Sequence, residues 1–321
     1  MVPFATLPDG TMIHQVTLRQ SSGLEVNVIT YGGIITAVRV PNGNRRPVNV
    51  VLGHDTLAPY LNNRNYVGAL IGRYGNRIAR GRFVLDGVAH QLDVNDGPNH
   101  LHGGFHGYNC RVWNVDGMSD SAVALSLVDP DGSCGYPGRL TARVTYRLCH
   151  DHALHIYYVA DTDAPTIVNL TQHTYFNLSG GRSPTIDDHL LKIDADHYLP
   201  VDDELIPTGK EKEVKGTAFD FRSGRRIGDT TYDHTFILRN PTGELRMVAR
   251  LTDPLSGRAM DVLTTEPGMQ FYSGHLYDRP RAGLCLETQH YPNSPNEPFF
   301  PSTVLRPGAR YTSTTVYRFG V

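Results

Sequence analysis

Residues 169–178 contain many side chains that can do chemistry. Amide, hydroxyl, imidazole and phenol groups lie there among apolar residues, and His173 and Tyr175 are at the centre. Core strands rarely carry so many polar groups, because each buried one needs a hydrogen-bond partner. The hydroxyls of a bound sugar would supply those partners, and so would water if the segment were an exposed loop. An imidazole ordinarily titrates near neutral pH, so His173 is a candidate acid or base if it faces a cleft.

A second candidate is a carboxylate inside an apolar, strand-like run. Glu287 directly follows Cys285 and Leu286 in that run. Glu is seldom buried without a partner, so this side chain points to solvent, pairs with an arginine, or has a function. In the functional case a partly apolar pocket would set its pKa, and Glu287 would act as a general base.

Other polar clusters contain the remaining candidate residues, namely Asn76, Arg77, His100, His102, Asp233 and Gln270. Arg77 would either pair with a surface carboxylate or donate several hydrogen bonds to sugar oxygens in a pocket. His100 and His102 are two apart, so on a strand they would point to the same side, as metal ligands often do. A glycine pair follows them instead of a carboxylate, which argues against a metal site and favours a sharp turn.

The elements that must position these groups are predicted to be β-strands. Alternation of apolar and polar residues with period two dominates, at 24–30 and in a hairpin of 140–148 with 154–158. A second, tight hairpin at 82–92 turns at Asp86-Gly87. No long helical stripe is present, although residues 57–64 form one candidate short helix. The sequence therefore predicts an all-β protein, with a single domain of packed sheets over residues 1–321.

Composition excludes several classes of function. The net charge of −2 and the pI of about 6.7 give no basic surplus for nucleic acid or an anionic membrane. The 4 cysteines form no Cys-x-x-Cys motif, so we expect buried free thiols in a reducing compartment. The N-terminus lacks a secretory signal, and no apolar run reaches the ~20 residues that span a bilayer. We therefore expect a cytoplasmic protein.

In their order along the chain, these motifs resemble the aldose 1-epimerase family. The resemblance covers nearly the whole chain, from residues 31–33 to residues 305–308, and departs from the family pattern at Tyr74-Gly75 and in residues 274–283. It implies a β-supersandwich of large antiparallel sheets with few short helices and an open sugar-binding cleft. It also implies interconversion of the α and β anomers of free hexoses such as galactose and glucose.

The same resemblance implies roles for individual residues. His173 matches the family's catalytic acid and Glu287 its catalytic base, and in their ordinary pKa ranges the two would be protonated and ionised as required. The implied sugar ligands are Asn76, Arg77, His102, Tyr175, Asp233 and Gln270. No metal or organic cofactor is implied. The expected partner is a small-molecule aldohexose, and the expected assembly is a monomer or a homodimer.

Three alternatives remain open at this stage. A sugar-phosphate 1-epimerase would need extra basic residues at the pocket, for which Arg222, Arg225 and Arg226 are candidates. A non-catalytic carbohydrate-binding protein would need no acid–base pair. A metal-dependent sugar isomerase would use the region of His100 and His102.

Overall fold

The computed structural model describes residues 1–43, 45–62 and 64–320, and β-strands dominate these ranges. The first strands are β1 (Val2–Thr6), β2 (Met12–Arg19), β3 (Glu25–Ile29), β4 (Ile35–Asn42), β5 (Arg45–Asn49), β6 (Ala69–Ile71), β7 (Arg77–Ile78), β8 (Arg82–Leu85) and β9 (Val88–Gln91). Then follow β10 (His100–Leu101), β11 (Asn114–Met118), β12 (Ala122–Asp129), β13 (Leu140–Cys149), β14 (Ala153–Thr162), β15 (Thr166–Ile167), β16 (Thr171–His173), β17 (Leu190–Ile193) and β18 (Ala195–Tyr198). The last strands are β19 (Lys212–Glu213), β20 (Arg225–Arg226), β21 (Asp233–Leu238), β22 (Arg246–Thr252), β23 (Ala259–Thr264), β24 (Gly268–Tyr272), β25 (Cys285–Gln289), β26 (Val304–Leu305) and β27 (Tyr311–Gly320).

Helical structure is minor in the described ranges. The helix α1 spans Ala58–Leu61, and short 3₁₀ turns lie at Ala79–Gly81, Tyr108–Cys110, Ser133–Gly135 and Ser294–Asn296. The helix predicted over residues 57–64 is therefore shorter than expected. Asn62 already has non-helical backbone angles, and Asn63 of that prediction lies outside the described residues. No helix in the described part of the chain is long and apolar enough to cross a membrane.

Three large antiparallel sheets form the framework. A nine-stranded sheet has the order β11-β12-β13-β14-β27-β23-β22-β17-β20, and a five-stranded sheet joins β1 to β5 in sequence order. A second five-stranded sheet has the order β19-β18-β21-β24-β25, and the short strand β16 pairs with β6. The prediction of an all-β fold built from large antiparallel sheets is confirmed.

Both predicted hairpins are present. β13 and β14 pair in unbroken register from Leu140 opposite Thr162 to Cys149 opposite Ala153. β8 and β9 turn at Asp86, with φ 51°, and Gly87, with φ 80°. Two successive positive φ angles give the turn whose twist matches that of the flanking strands, and Asp-Gly tolerates them. The alternation in the sequence thus reflects one buried and one exposed face, as in the strand pattern of β13.

The core extends across the three sheets. One cluster of buried apolar side chains includes Val26 of the first sheet, Val144 of the nine-stranded sheet and Phe271 of the third. All four cysteines are free, but only Cys285 is buried, whereas the other three are half-buried. The expectation of buried thiols is therefore right for Cys285 alone. Cys285 begins β25, the strand that also carries Glu287.

Candidate active site

Two strands bring the predicted acid and base together. His173 ends β16, which pairs with β6, and Glu287 lies in β25 directly opposite Gln270 of β24. The Thr171 hydroxyl donates to the Thr288 carbonyl at 2.9 Å and thus fastens β16 to β25. His173 Nε2 lies 3.7 Å from Glu287 Oε1, with both side chains almost fully buried. The two residues are 114 positions apart in the sequence (287 − 173) and meet only through this strand arrangement.

Burial governs the protonation of this pair. It lowers the pKa of His173 from 6.5 to about 4, because the imidazolium loses its hydration. It raises the pKa of Glu287 well above 4.5, with a further contribution from the negative charge of Asp233. Glu287 Oε2 is buried and has no hydrogen-bond partner among the described residues. Both shifts favour neutral side chains, so the ordinary pKa ranges assumed from the sequence do not hold in this site.

His102 presents a hydrogen-bond donor to the cleft. It follows β10 with φ 52°, and its Nδ1 accepts the Asn76 backbone N–H at 3.1 Å. Burial, together with the nearby His173 and Arg77, holds the pKa of His102 well below its ordinary value. The neutral ring therefore carries its proton on Nε2, the nitrogen left free for a ligand. His100 points elsewhere, to the Tyr136 hydroxyl, so the prediction that both imidazoles share one side of a strand is wrong.

Arg77 is held between two carboxylates. Its Nε donates to Asp96 at 2.8 Å, and its NH1 group lies 3.8 Å from Asp233 Oδ2. Gln270 Nε2 donates to Asp233 Oδ1 at 2.6 Å. Gln270 is thus placed behind Asp233 rather than in the lining of the cleft, so its predicted contact with sugar stays a prediction. Asp96 was not predicted, because nothing in its local sequence distinguishes it from other loop aspartates.

Three tyrosine rings surround the imidazoles. The Tyr175 ring lies 5.1 Å from that of His173, and its hydroxyl donates to the Asn65 carbonyl at 2.8 Å. The Tyr66 ring lies 4.5 Å from that of His102, and Tyr272 lies 6.2 Å from His173. Tyr66 and Tyr272 were missed by sequence reasoning, although Tyr272 closes the polar and aromatic segment that contains Gln270. Tyr66 is in a loop with φ 53° and no pattern around it.

One open cleft brings together seven of the eight predicted site residues. Its lining consists of Arg64, Asn65, Tyr66, Asn76, Arg77, Leu101, His102, His173, Tyr175, Asp233, Tyr272, Leu276 and Glu287. This lining offers hydrogen-bond donors, hydrogen-bond acceptors and aromatic rings. Such a surface suits a small neutral molecule covered with hydroxyls. The sequence left open that Glu287 points to solvent or pairs with an arginine. Its side chain is buried and bonds to no arginine among the described residues, so both of these interpretations are wrong.

The ligand atoms of His102, His173 and Glu287 lie within 4.8 Å of one another, which is near enough for one metal ion. A metal would need a lone pair on the free nitrogen of His102. That nitrogen carries the proton, because Nδ1 already accepts the N–H of Asn76. The tautomer suits a sugar oxygen better than a cation. The expected absence of a metal stays a prediction that chelation can test.

The basic residues suggested for a sugar phosphate lie elsewhere. Arg222 and Arg226 are each paired with aspartates, and Arg225 lies over the Phe221 ring at 4.4 Å. In the part of the chain that the structure describes, none of the three lines the cleft. They therefore do not form the phosphate site that this alternative requires.

Comparisons with known proteins show the family to which the chain belongs. The profile of the aldose 1-epimerase family matches residues 14–318. The chain is 42% identical to a galactose mutarotase of Sus scrofa, over 99% of this chain and 97% of that protein. It is 37% identical to an aldose 1-epimerase of Escherichia coli K12, over 98% and 97% of the two chains.

Solved structures show the same fold. An aldose epimerase homologue from C. elegans superimposes with a TM-score of 0.91 at 28% identity, over 96% of this chain and 99% of that one. A galactose 1-epimerase from Lactobacillus acidophilus gives a TM-score of 0.87 at 30% identity, over 99% and 97%. The galactose mutarotase-like fold of large antiparallel sheets, which the family resemblance implied, is therefore confirmed. The chain therefore belongs to the aldose 1-epimerase family and is an enzyme of that type.

Proposed function

We propose that this enzyme interconverts the α and β anomers of free aldohexoses, with galactose as a principal substrate and His173 and Glu287 as acid and base. The observation that supports this most strongly is the buried pair of His173 and Glu287, 3.7 Å apart at a cleft lined by hydrogen-bonding groups. Relatives named galactose mutarotase support the choice of sugar.

The reaction needs two coordinated proton transfers. The ring opens from the arrangement in which His173 is an imidazolium and Glu287 a carboxylate. His173 gives a proton from Nε2 to the ring oxygen O5 while a Glu287 oxygen removes the proton from the anomeric hydroxyl O1, which leaves a neutral His173 with its proton on Nδ1 and a protonated Glu287. The C1–O5 bond breaks, C1–O1 becomes a carbonyl, and an open-chain aldehyde with a free O5 hydroxyl results. Rotation about C1–C2 by half a turn exposes the other carbonyl face. On closure O5 returns its proton to His173, and Glu287 returns its proton to O1.

The proton count of the pair fits this cycle. A neutral His173 beside a protonated Glu287 holds the same single mobile proton as an imidazolium beside a carboxylate. Because burial opposes charge on both groups, it favours the neutral arrangement more than water does, and this is the arrangement that ring opening produces. A sugar between the two residues would let this one proton enter at one oxygen as another leaves at the other, so neither residue is consumed.

The other cleft residues would hold the sugar while C1 stays free to rotate. Arg77 and the Nε2–H of His102 would donate to sugar oxygens, and Asp233 would accept from a hydroxyl. Gln270 would act through its hydrogen bond to Asp233. Tyr66 and Tyr272 would pack beside the sugar with Tyr175 and exclude water. This is a positioning task, and its contribution to rate comes from orientation of the reacting groups.

A panel of sugars tests the proposed substrate class. Freshly dissolved α-D-galactose and α-D-glucose should lose optical rotation faster with enzyme than in a buffer blank, and EDTA should leave this rate unchanged. Glucose 6-phosphate should be a poor substrate, because two carboxylates already hold Arg77. Preference for the phosphate would support the sugar-phosphate alternative. Sugar binding in calorimetry without anomerisation would overturn the proposal in favour of a binding protein.

A further inference from the structure

Cys285 is the second side chain of β25 that contacts His173. Its Sγ lies 3.4 Å from His173 Nδ1, while Glu287 of the same strand lies 3.7 Å from Nε2. Residues two apart on a strand point to the same face, roughly 6.5 to 7 Å from each other. That spacing lets the two side chains reach the two nitrogens of one imidazole ring. One strand thus contacts both nitrogens of His173.

We propose that Cys285 is a positioning residue for anomerisation, which fixes the orientation of the His173 ring and holds the other imidazole proton on Nδ1, so that Nε2, the nitrogen that faces the sugar, can give and regain a proton. The proposal rests on the role of His173 in the proposed function. Cys285 contacts no cleft surface itself, because it is fully buried and absent from the lining. It acts through the imidazole alone.

A thiol suits a histidine that changes its protonation state during each turnover. When His173 is protonated, its Nδ1–H donates to Cys285 Sγ and its Nε2–H faces the sugar. After Nε2 has given its proton to O5, Nδ1–H still donates to Sγ, so the neutral ring has a lone pair at Nε2 that takes the proton back on closure. The thiol keeps its own proton in both states, because burial raises its pKa well above the ordinary value.

A carboxylate in place of the thiol would behave differently. Its negative charge would raise the pKa of His173, which favours a permanently charged imidazole. The neutral thiol leaves the low pKa set by burial in place. Within the described ranges, none of the other three cysteines hydrogen-bonds to a histidine side chain. For example, Cys110 donates to the Gly107 carbonyl at 3.1 Å.

Four variants test this role. Cys285→Ser keeps a group that can donate and accept, whereas Cys285→Ala and Cys285→Val remove it at smaller and larger volume. Cys149→Ala, at the far end of β13, is the control for loss of a thiol. We expect Ser to keep kcat within about threefold, and Ala and Val to lower kcat on the order of tenfold, the effect of one lost hydrogen bond. KM for galactose should stay within about twofold.

The pH profile and NMR add readouts that a purely structural role would not move. In wild type, ¹⁵N spectra of neutral His173 should show the Nδ1–H tautomer, and in Cys285→Val this preference should weaken while the acid limb of kcat shifts. Equal loss in Ser, Ala and Val would overturn the proposal in favour of simple packing. So would wild-type kcat and pH profile in Val. If Ala fails to fold, Ser against Val carries the comparison.

The proposed function fails in a distinguishable way. If His173→Asn abolishes turnover while every Cys285 variant matches wild type, only the positioning role is wrong. If His173→Asn itself is fully active, the catalytic assignment of His173 is wrong, whatever the Cys285 variants show.

Discussion

At the scale of single residues, burial acts in opposite directions on His173 and Glu287. Removing water disfavours charge, so the pKa of the imidazole falls and the pKa of the carboxyl rises. The two groups together then keep one proton over a wide pH range. This state contains one donor and one acceptor, which is what anomerisation consumes and restores in each cycle.

The pH dependence of kcat/KM follows from that proton count. Below the pKa of His173, about 4, the pair gains a second proton and no base remains. Above the raised pKa of Glu287 the last proton leaves and no acid remains. We therefore expect a broad plateau through neutral pH with an acid limb near 4. Polarimetry from pH 3.5 to 9 measures this, with the buffer-catalysed rate subtracted at each pH. An acid limb near 6.5 would show that His173 keeps its ordinary pKa.

Sequence patterns identified which side chains could do chemistry, but not whether each one lines the cleft or lies behind it. Asn76, Arg77, His102 and Asp233 were predicted as ligands and do line the cleft, whereas Gln270 lies behind Asp233. Gln270 lies on the same face of the sheet as Glu287, its partner in the ladder, but Asp233 and Thr235 occupy the two ends of its amide. Hydrogen-bond partners of this kind cannot be read from residue types alone.

At the scale of elements, Asn169 joins the three segments that carry the site. Its Oδ1 accepts the His290 N–H at 2.9 Å, just after β25. Its Nδ2 donates to the carbonyls of Gly75 and His290, both at 3.2 Å. Gly75 precedes the Asn76-Arg77 pair, and Asn169 itself precedes β16. The polar side chains of residues 169–178 thus have two roles. Asn169 holds neighbouring segments together by hydrogen bonds, and His173 lines the cleft.

Asn169→Ala should therefore weaken both stability and activity. It removes three hydrogen bonds and leaves buried backbone groups without partners, at about 1 kcal/mol each or somewhat more. We expect the free energy of unfolding in urea to fall by roughly 3 kcal/mol and kcat to fall with it. Asn114→Ala, on the exposed start of β11, is the matched control and should change stability by less than about 0.5 kcal/mol. Equal stability of the two variants would remove Asn169 from this role.

Local strand pairings could be predicted from the sequence, whereas pairings between distant segments could not. Hairpins with a continuous alternation and a turn dipeptide, such as β8 with β9, were found from sequence because all their contacts are local. The pairing of β16 with β6, or of β24 with β25, joins segments with no shared pattern. Position 102 was assigned to a strand, but its left-handed φ of 52° turns it into the cleft. Backbone angles of this kind are set by tertiary packing, and only the following glycine pair hinted at them.

At the scale of the whole molecule, one large apolar cluster links the three large sheets. Val26, Val144 and Phe271 belong to this cluster although they lie in different sheets. The strand β25, which carries Glu287, adds Leu286 to the same cluster. The site is therefore supported by packing that extends through most of the chain, which favours the predicted single domain over residues 1–321.

Such a core should unfold in one step. The chain has one tryptophan, Trp113, which is buried in this cluster. Its fluorescence should change at the same urea concentration as the far-UV circular dichroism of the sheets. Two separated transitions, with Trp113 exposed before the strands are lost, would contradict a single cooperative unit. A galactose-bound sample should shift both transitions together.

The anomerisation rate of α-D-galactose in variants of the proposed pair tests the account most directly. Polarimetry should compare wild type with His173→Asn, Glu287→Gln and the double variant, each shown to be folded by circular dichroism. We predict that either single change lowers kcat by on the order of 10²–10⁴, the usual contribution of one positioned proton transfer. The double variant should lose far less than the product, because both residues serve one cycle. Near-wild-type turnover in either folded single variant would contradict the assignment of His173 and Glu287 as acid and base.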